Sequence, residues 1–416
     1  MNKIVISEKS GFGLVNEELQ WTKKIEKKHT KPKQSSTGLY FGAIEEKALA
    51  VYRTENMEEC LRIHGEVSDF SFSGDETLVC VCEKIVTGEE NNIAVWNIEQ
   101  KERVYTARRE TKSQHFQWAG SILATRNSSA INLFSPHTKT KNTLKDEDLV
   151  DYSCTDSHPS MCTLSFLTRA RSYVCRLYCV GGIPQAISSV STARTDSAQY
   201  FWSPDGQNVI FAAQKEHTAK NYYGEARLFL LGKKSGIRLL NGTNVAVHCI
   251  EWAPDSSSFF VVYGNMPAKI EQMDLKGNLL AGWKTNGAKN TARVNRQGTM
   301  VFFGGFGNLQ GIADVWLLKQ KRHIGRLQDQ CASDCSWSPD GRSIMTATTT
   351  PKMRVANGIR LWSPDAKPGA KEDFDVLCMA EWSRSSAEGQ AEAELEQYRA
   401  VHLGEEKKAY RLPKHR

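Results

Sequence analysis

Three glycines in residues 302–316 are spaced almost as in a phosphate-binding loop. Gly305, Gly307 and Gly311 follow a short apolar run, as the glycines of a dinucleotide-binding loop follow a strand. Such a loop must lead into a helix, because the free N–H groups at the helix N-terminus hold the phosphates. Here residues 312–318 follow instead, and their β-branched and aromatic side chains favour a strand. We therefore predict a loop between two strands and no nucleotide cofactor.

The other residue types that could catalyse a reaction or hold a metal are scattered. The ten histidines form no H-E-x-x-H pair, and no G-x-S-x-G nucleophile elbow is present. The eleven cysteines are odd in number and lack the spacing of a zinc site or a disulfide framework. We expect no enzyme activity, no metal and reduced thiols. With no signal-peptide core and no apolar run long enough for a membrane helix, the sequence predicts a cytoplasmic protein.

Positive charge is concentrated in two places, although the net charge is only +7. The end of the chain, "KKAYRLPKHR", is basic, and so is the segment 23–33. The basic cluster of that segment consists of Lys23, Lys24, Lys27, Lys28, Lys31 and Lys33. Each region is either a solvated surface or a contact for a polyanionic partner.

A repeat organises the rest of the chain. Stretches starting near residues 67, 196, 245 and 332 each combine an alternating strand, a Ser/Ala-Pro/Gly-Asp turn and a second apolar strand. A third strand then ends on an aromatic residue: Trp96, Phe229, Trp316 or Trp362. Anchors such as Trp202 and Trp252 recur at 45 to 50 residues, which is the period of a propeller blade. Their fixed place beside the blade turn indicates packing rather than base stacking.

The repeat predicts an all-β fold: a single WD-repeat-like β-propeller of about nine four-stranded blades. We assign residues 1–385 to it and expect an N-terminal strand such as residues 4–6 to close the ring. Residues 386–416 form a basic C-terminal extension, helical or disordered. The glycine loop then joins the second and third strands of one blade. All such loops emerge on one face, where function concentrates on a rigid scaffold.

Several loop sequences then become recognisable. "VYGNMPAK", "YYGEARLFLL", "GFGNLQG…DVW", "WSPDG" and "TATTTPKMRVANGIRLW" closely resemble the propeller of eukaryotic translation initiation factor 2A, most densely over residues 200–365. The resemblance implies nine blades and a factor that binds the small (40S) ribosomal subunit. It also implies GTP-independent delivery of initiator methionyl-tRNA on particular mRNAs. Family members usually continue into a basic tail, so we expect the extension to be truncated.

The implied partners are the small subunit with its rRNA and proteins, initiator methionyl-tRNA and mRNA, with other initiation factors as a further option. We expect a monomer and no membrane. The residues predicted to meet RNA are Lys84, Lys215, Lys220, Tyr222, Tyr223, Lys269, Lys352 and Arg354. Arg354 can grip phosphate or stack on a base, or it can merely brace its own loop. The alternative function is a protein-binding scaffold without direct RNA contact.

Overall fold

The chain forms one ring of nine four-stranded antiparallel sheets, the blades of a β-propeller. This computed structural model describes residues 2–84, 91–108, 116–127, 129–145, 148–157, 160–167, 173–193, 195–215, 225–232, 237–239, 246–383, 392–395 and 397–398. The predicted fold class and blade number are confirmed. The first strands of successive blades contact one another and lie innermost, and the fourth strands form the outer rim.

The strands are numbered along the chain. The N-terminal segment contributes β1 Ile4–Glu8, β2 Gly11–Val15 and β3 Trp21–Ile25. Blades 1 to 4 comprise β4 Thr30–Gln34, β5 Tyr40–Glu45, β6 Ala48–Arg53 and β7 Glu58–His64; β8 Val67–Phe72, β9 Leu78–Glu83, β10 Ile93–Asn97 and β11 Glu102–Ala107; β12 Phe116–Ala119, β13 Ile122–Arg126, β14 Ala130–Ser135 and β15 Thr140–Lys145; β16 Leu149–Cys154, β17 Met161–Leu167, β18 Tyr173–Cys179 and β19 Gln185–Thr192.

Blades 5 to 8 comprise β20 Ser197–Trp202, β21 Val209–Lys215, β22 Glu225–Leu231 and β23 Ile237–Leu239; β24 Val247–Trp252, β25 Ser258–Tyr263, β26 Lys269–Asp274 and β27 Leu279–Trp283; β28 Thr291–Val294, β29 Met300–Gly305, β30 Ile312–Leu317 and β31 Arg322–Gln328; β32 Asp334–Trp337, β33 Ile344–Thr348, β34 Gly358–Trp362 and β35 Pro368–Asp373. The last strand, β36 Leu377–Trp382, joins β1, β2 and β3 to make blade 9.

The burial of the second strand of each blade explains why the repeat can be recognised in the sequence. In β25 and β33 every residue is buried, and β9 is buried from Leu78 to Cys82. Both faces of such a strand pack against neighbouring blades, so its sequence is continuously apolar instead of alternating. The outer strands contrast with this: β35 is almost wholly exposed. The apolar runs therefore mark the blade centres.

The turn between the first and second strands is held by a repeated side-chain motif. In blade 5 the Ser203 hydroxyl donates to Asp205 at 2.5 Å and accepts from the Asn208 N–H at 3.0 Å. In blade 8 Ser338 donates to Asp340 at 2.7 Å and accepts from the Ser343 N–H at 2.9 Å. Serine and aspartate favour such turns because their short side chains satisfy nearby backbone groups.

Strands from the two ends of the propeller segment build the ninth blade. β1 pairs antiparallel with β36, from Ile4 opposite Trp382 to Glu8 opposite Leu377. The N-terminal segment supplies three strands rather than the single one expected, while the C-terminal part supplies only the innermost strand. The two ends are thus held in one sheet.

A short helix follows the ring. Helix α1 spans Glu392–Leu395. Leu395 and Tyr398 belong to the apolar cluster between blades 7 and 8, and Arg342 Nη2 lies 2.9 Å from Glu394 Oε1. Because Arg342 is in a first-to-second-strand turn, this segment docks on that side of the ring.

The glycine stretch is a loop between β29 and β30, as predicted, and a strand follows it. Gly307 and Gly311 adopt φ values of +72° and +68°, in the left-handed region that glycine enters without strain. They differ in their surroundings. A Cβ on Gly311 would lie 1.7 Å from the Asp329 carbonyl oxygen, whereas a Cβ on Gly307 would meet nothing within 4 Å.

We expect Gly311→Ala to lower the free energy of unfolding by about 3 kcal/mol or more, since backbone strain adds to a collision with fixed backbone. Gly307→Ala carries the strain alone and should cost about 1 kcal/mol. Urea denaturation of the two variants measures the difference. Equal losses would show that the Asp329 backbone yields and that the close approach does not matter.

Candidate RNA-binding face

Strand alternation gives the ring two unlike faces. Connections between second and third strands, and those from one blade to the next, lie together on what we call the loop face. The opposite, turn face carries the first-to-second-strand and third-to-fourth-strand turns. Lys84, Lys215, Lys269, Lys352 and Arg354 all belong to second-to-third-strand connections or the strand ends beside them. They share the loop face but belong to blades 2, 5, 6 and 8, so they are spread around that face and do not form one cluster.

Lys220, Tyr222 and Tyr223 lie outside the described residues. Two of the cations that are described already have carboxylate partners. Lys352 Nζ lies 3.2 Å from Asp334 Oδ2, and Lys84 Nζ lies 3.0 Å from Glu66 Oε2. Both pairs are well exposed, so solvent screens them and they contribute little to stability.

The side chains of Lys215, Lys269 and Arg354 are exposed and make no hydrogen bond or ion pair to any residue in the described ranges. A cation without a carboxylate partner can bind a phosphate without first breaking an ion pair. These three side chains are therefore open to a polyanion.

The loop that carries Lys352 and Arg354 is braced from within by Asn357. Its buried side chain donates to the Met353 carbonyl oxygen at 2.9 Å. Its amide oxygen accepts from the Thr350 hydroxyl at 2.8 Å and from the Leu377 N–H at 2.9 Å. These bonds hold residues 350–357 against blade 9 and leave the tip in solvent. Asn357, not Arg354, does the bracing, and the sequence shows it only as the asparagine of "VANG".

Val355 stands beside Arg354 at the tip and is 65% exposed. The tip therefore presents a cation next to an apolar side chain. Such a surface suits an RNA phosphate with the adjoining sugar or base, and it also suits a protein partner.

Two lysines of the 23–33 cluster tie blade 1 to blade 2. Lys33 Nζ donates to Asp69 Oδ1 and to the Phe70 carbonyl oxygen, each at 2.7 Å, and Lys31 Nζ donates to the Ser68 carbonyl oxygen at 2.7 Å. Both lysines are on β4, and their partners are on the neighbouring inner strand β8. Burial raises the pKa of Asp69, but the hydrogen bond and charge of Lys33 outweigh it and hold that pKa below its ordinary value.

Two further lysines of the cluster are also paired. Lys24 Nζ lies 2.6 Å from Glu8, and Lys27 Nζ lies 3.3 Å from the buried carboxylate of Glu45. Lys23 and Lys28 are exposed, and no ion pair joins them to the described part of the chain. The cluster therefore offers two open cations rather than six.

Blade 7 contains a buried ionic cluster that sequence reasoning missed. Lys289, 1% exposed, places Nζ 3.0 Å from Asp314 Oδ2, and Arg326 Nε lies 2.7 Å from Oδ1 of the same carboxylate. Burial raises the pKa of Asp314, but His323, Lys289 and Arg326 together overcome that effect and lower it to about 2. Lys289 and Asp314 lie beneath the surface and pair with each other, and Arg326 reaches them from the exposed side, so the cluster ties β30 to β31 and to the connection before β28.

The tryptophans beside the blade turns pack between blades, as predicted. Trp252 and Trp337 are 7% and 8% exposed, and Trp202 is half-buried. Their indole N–H groups donate to the preceding blade: Trp202 to the Ser153 hydroxyl, Trp252 to the Phe201 carbonyl and Trp337 to the Arg293 carbonyl, each at 3.0 Å. Rings held in this way cannot stack on bases.

The comparisons with known proteins agree with the loop motifs. The profile of the family described as "Eukaryotic translation initiation factor eIF2A" matches residues 191–380, which span blades 5 to 8 and most of β36. The resemblance to initiation factor 2A is confirmed. Lys215, Lys269, Lys352 and Arg354 all fall inside the matched residues, whereas Lys84 and the 23–33 cluster fall outside them.

Curated relatives carry the same name. Eukaryotic translation initiation factor 2A of Saccharomyces cerevisiae is 32% identical over 54% of this chain and 37% of its own length. That of Dictyostelium discoideum is 26% identical over 76% of this chain and 54% of its own. The chain thus matches between about a third and a half of the length of these relatives.

A solved structure has the same fold as this chain. "Crystal structure of the eukaryotic initiation factor" superposes with a TM-score of 0.80 and covers 93% of this chain and 100% of the solved one. At 21% identity this match speaks for the fold alone. Within the described ranges, no helix has the length and apolar character needed to cross a membrane.

The bracing by Asn357 can be tested directly. Asn357→Ala removes the partner of the Leu377 N–H and leaves the Thr350 hydroxyl and the Met353 carbonyl only their mutual bond of 3.3 Å, and we expect a loss of about 2 to 3 kcal/mol in the free energy of unfolding. The loop should also open, so trypsin should cleave after Lys352 and Arg354 several-fold faster than in the unaltered protein. Cleavage after Lys276, on the turn face, is the internal control. Unchanged cleavage at both loop sites would show that the loop is held by other contacts.

Proposed function

We propose that this chain is a translation initiation factor that binds the small (40S) ribosomal subunit and promotes GTP-independent binding of initiator methionyl-tRNA on particular mRNAs. It would act in the cytoplasm as a monomeric binding factor rather than an enzyme. The named relatives support the class of function, and the match over blades 5 to 8 supports the propeller as the part that carries it.

The observation that carries the RNA contact is the state of the loop-face cations. Arg354 is held outward by a loop that Asn357 braces, and neither Arg354 nor Lys269 is neutralised by a described neighbour. A planar guanidinium can bind phosphate with two hydrogen bonds, whereas lysine acts as a point charge that positions the backbone. The loop face would thus bind rRNA or tRNA largely through phosphates.

The alternative is a protein-binding scaffold that never touches RNA. Val355 at the loop tip favours it, since an exposed apolar side chain suits a protein interface. The two functions differ in their response to salt. Binding through phosphates weakens steeply as the salt concentration rises, whereas binding through an apolar protein interface changes little with salt.

The test measures binding of the purified chain to small subunits by sedimentation, over a range of salt concentrations and without GTP. Changing Lys269, Lys352 and Arg354 to alanine should weaken binding and flatten the slope of log K against log salt by roughly 2 units, at about 0.7 for each lost phosphate contact. Lys352 is expected to contribute least, because Asp334 already shares its charge. Parallel runs with initiator methionyl-tRNA show whether the factor and the tRNA bind together.

The turn face supplies a matched control. Lys276, Lys367 and Arg296 are exposed there, and Lys367 is paired with Asp365 at 2.7 Å as Lys352 is paired with Asp334. Alanine at these three positions removes the same charge but should leave the salt slope unchanged. If both triple variants weaken binding equally, only net charge matters and the loop face is not the binding surface. If neither triple variant weakens binding and binding of the unaltered protein depends little on salt, the scaffold alternative holds.

A further inference from the structure

A cleft between blades 2 and 3 has the composition of a nucleotide-binding site. It opens towards the loop face and the rim, where β11 ends and β14 begins, and its volume is about 270 Å³. We call it the blade 2–3 cleft. The side chains that could bind a ligand there are Tyr105, Arg108, Asn127, Asn132, Phe134 and Lys141.

One wall of the cleft is aromatic. The rings of Tyr105 and Phe134 are stacked, with centroids 3.6 Å apart and an angle of 18° between their planes. Phe134 is buried, whereas Tyr105 is half-buried and borders the cleft. A flat aromatic surface accepts any nucleobase by stacking, because every base has a π-face.

Two amide side chains stand next to this wall. The Asn132 amide oxygen accepts a hydrogen bond from the Thr143 hydroxyl at 3.1 Å, which fixes its orientation and leaves its NH₂ group available. The Asn127 side chain has no hydrogen bond to any described residue. Asparagine presents both a donor and an acceptor, and base edges require that combination.

The charge of the cleft favours an anion. Arg108 and Lys141 are exposed, and Lys141 Nζ lies 5.3 Å from the centroid of the Tyr105 ring. No carboxylate occurs among the described residues that line the cleft. Other clefts of the ring differ: the one beside Lys27 includes Glu26, Glu45, Glu46 and Glu59, and the one beside Arg360 includes Asp329 and Asp373.

We propose that the blade 2–3 cleft binds one unstacked nucleobase together with its flanking phosphate. Tyr105 would stack on the base, Asn127 and Asn132 would bond to its edge, and Arg108 and Lys141 would bind the phosphate. The source is single-stranded RNA or a free nucleotide. This inference deepens the proposal that the loop face meets RNA, but it concerns residues outside the matched range 191–380.

The test is fluorescence anisotropy with a short single-stranded RNA, with adenosine monophosphate as competitor. We expect Tyr105→Leu, Asn132→Asp and Lys141→Ala each to weaken binding by about threefold to thirtyfold. Tyr105→Phe keeps the ring and should bind as the unaltered protein does. Lys139→Ala, on the turn face two residues from Lys141, removes the same charge outside the cleft and should have no effect. Melting temperatures identify any variant that fails to fold. If Tyr105→Leu fails to fold, Tyr105→Phe and Lys141→Ala still test the proposal.

Each outcome decides one point. Weak competition by the mononucleotide assigns the cleft to RNA, whereas competition as strong as that of the oligonucleotide assigns it to free nucleotides. The proposal is overturned if the unaltered protein binds neither, or if the three cleft variants bind as well as it does. The initiation proposal stands or falls separately, on small-subunit binding by the variant lacking Lys269, Lys352 and Arg354.

Discussion

The ring depends on the contact between the innermost strands of adjacent blades. The ladder hydrogen bonds run within each four-stranded sheet, so one blade is joined to the next by side chains and by a few backbone bonds, such as that from the Gly74 N–H to the Gly120 carbonyl. Near the end of several first strands a tryptophan reaches back to the preceding blade, and in some blades a polar residue one position before the strand end or before that tryptophan reaches forward to the next. The indole groups of Trp118, Trp202, Trp252 and Trp337 make the first kind of bond, and Lys33, Gln117 and Glu251 make the second. Each such bond contributes about 1 kcal/mol, and repetition around the ring makes it a rigid frame.

A rigid frame explains why the residues proposed to bind a partner can lie on loops. The buried second strands and the ties between inner strands need no help from the loop face. A connection such as residues 350–357 is therefore free to display Arg354 and Val355, provided one buried side chain anchors it. The same frame leaves room for clefts wherever the facing side chains are short or polar, as Thr125 and Asn132 are between blades 2 and 3.

The predictable part of the structure was the part that repeats. A strand buried on both faces must be apolar throughout, and an indole such as that of Trp252 is long enough to reach the preceding blade. Both features recur along the chain and reveal the period of the blades. The pairings of Lys24, Lys27 and Lys33 were not predictable, because their carboxylate partners come from other blades or from distant strands. The strands β2 and β3 were missed since one is glycine-rich and the other mostly exposed and charged. The blade 2–3 cleft is a property of the space between two blades, which no single stretch of sequence encodes.

The shared ninth blade has a consequence for how the protein is made. β1 is synthesised before the other strands of the ring, and Ile4, Val5 and Ile6 are wholly buried in the finished ring, but their partner β36 follows all the other strands described above. At the usual rate of chain elongation the edge of β1 waits on the order of half a minute. An open, apolar strand edge is a template for pairing with other chains. The nascent polypeptide therefore has to be shielded during that interval, and the ring closes only after β36 has been synthesised.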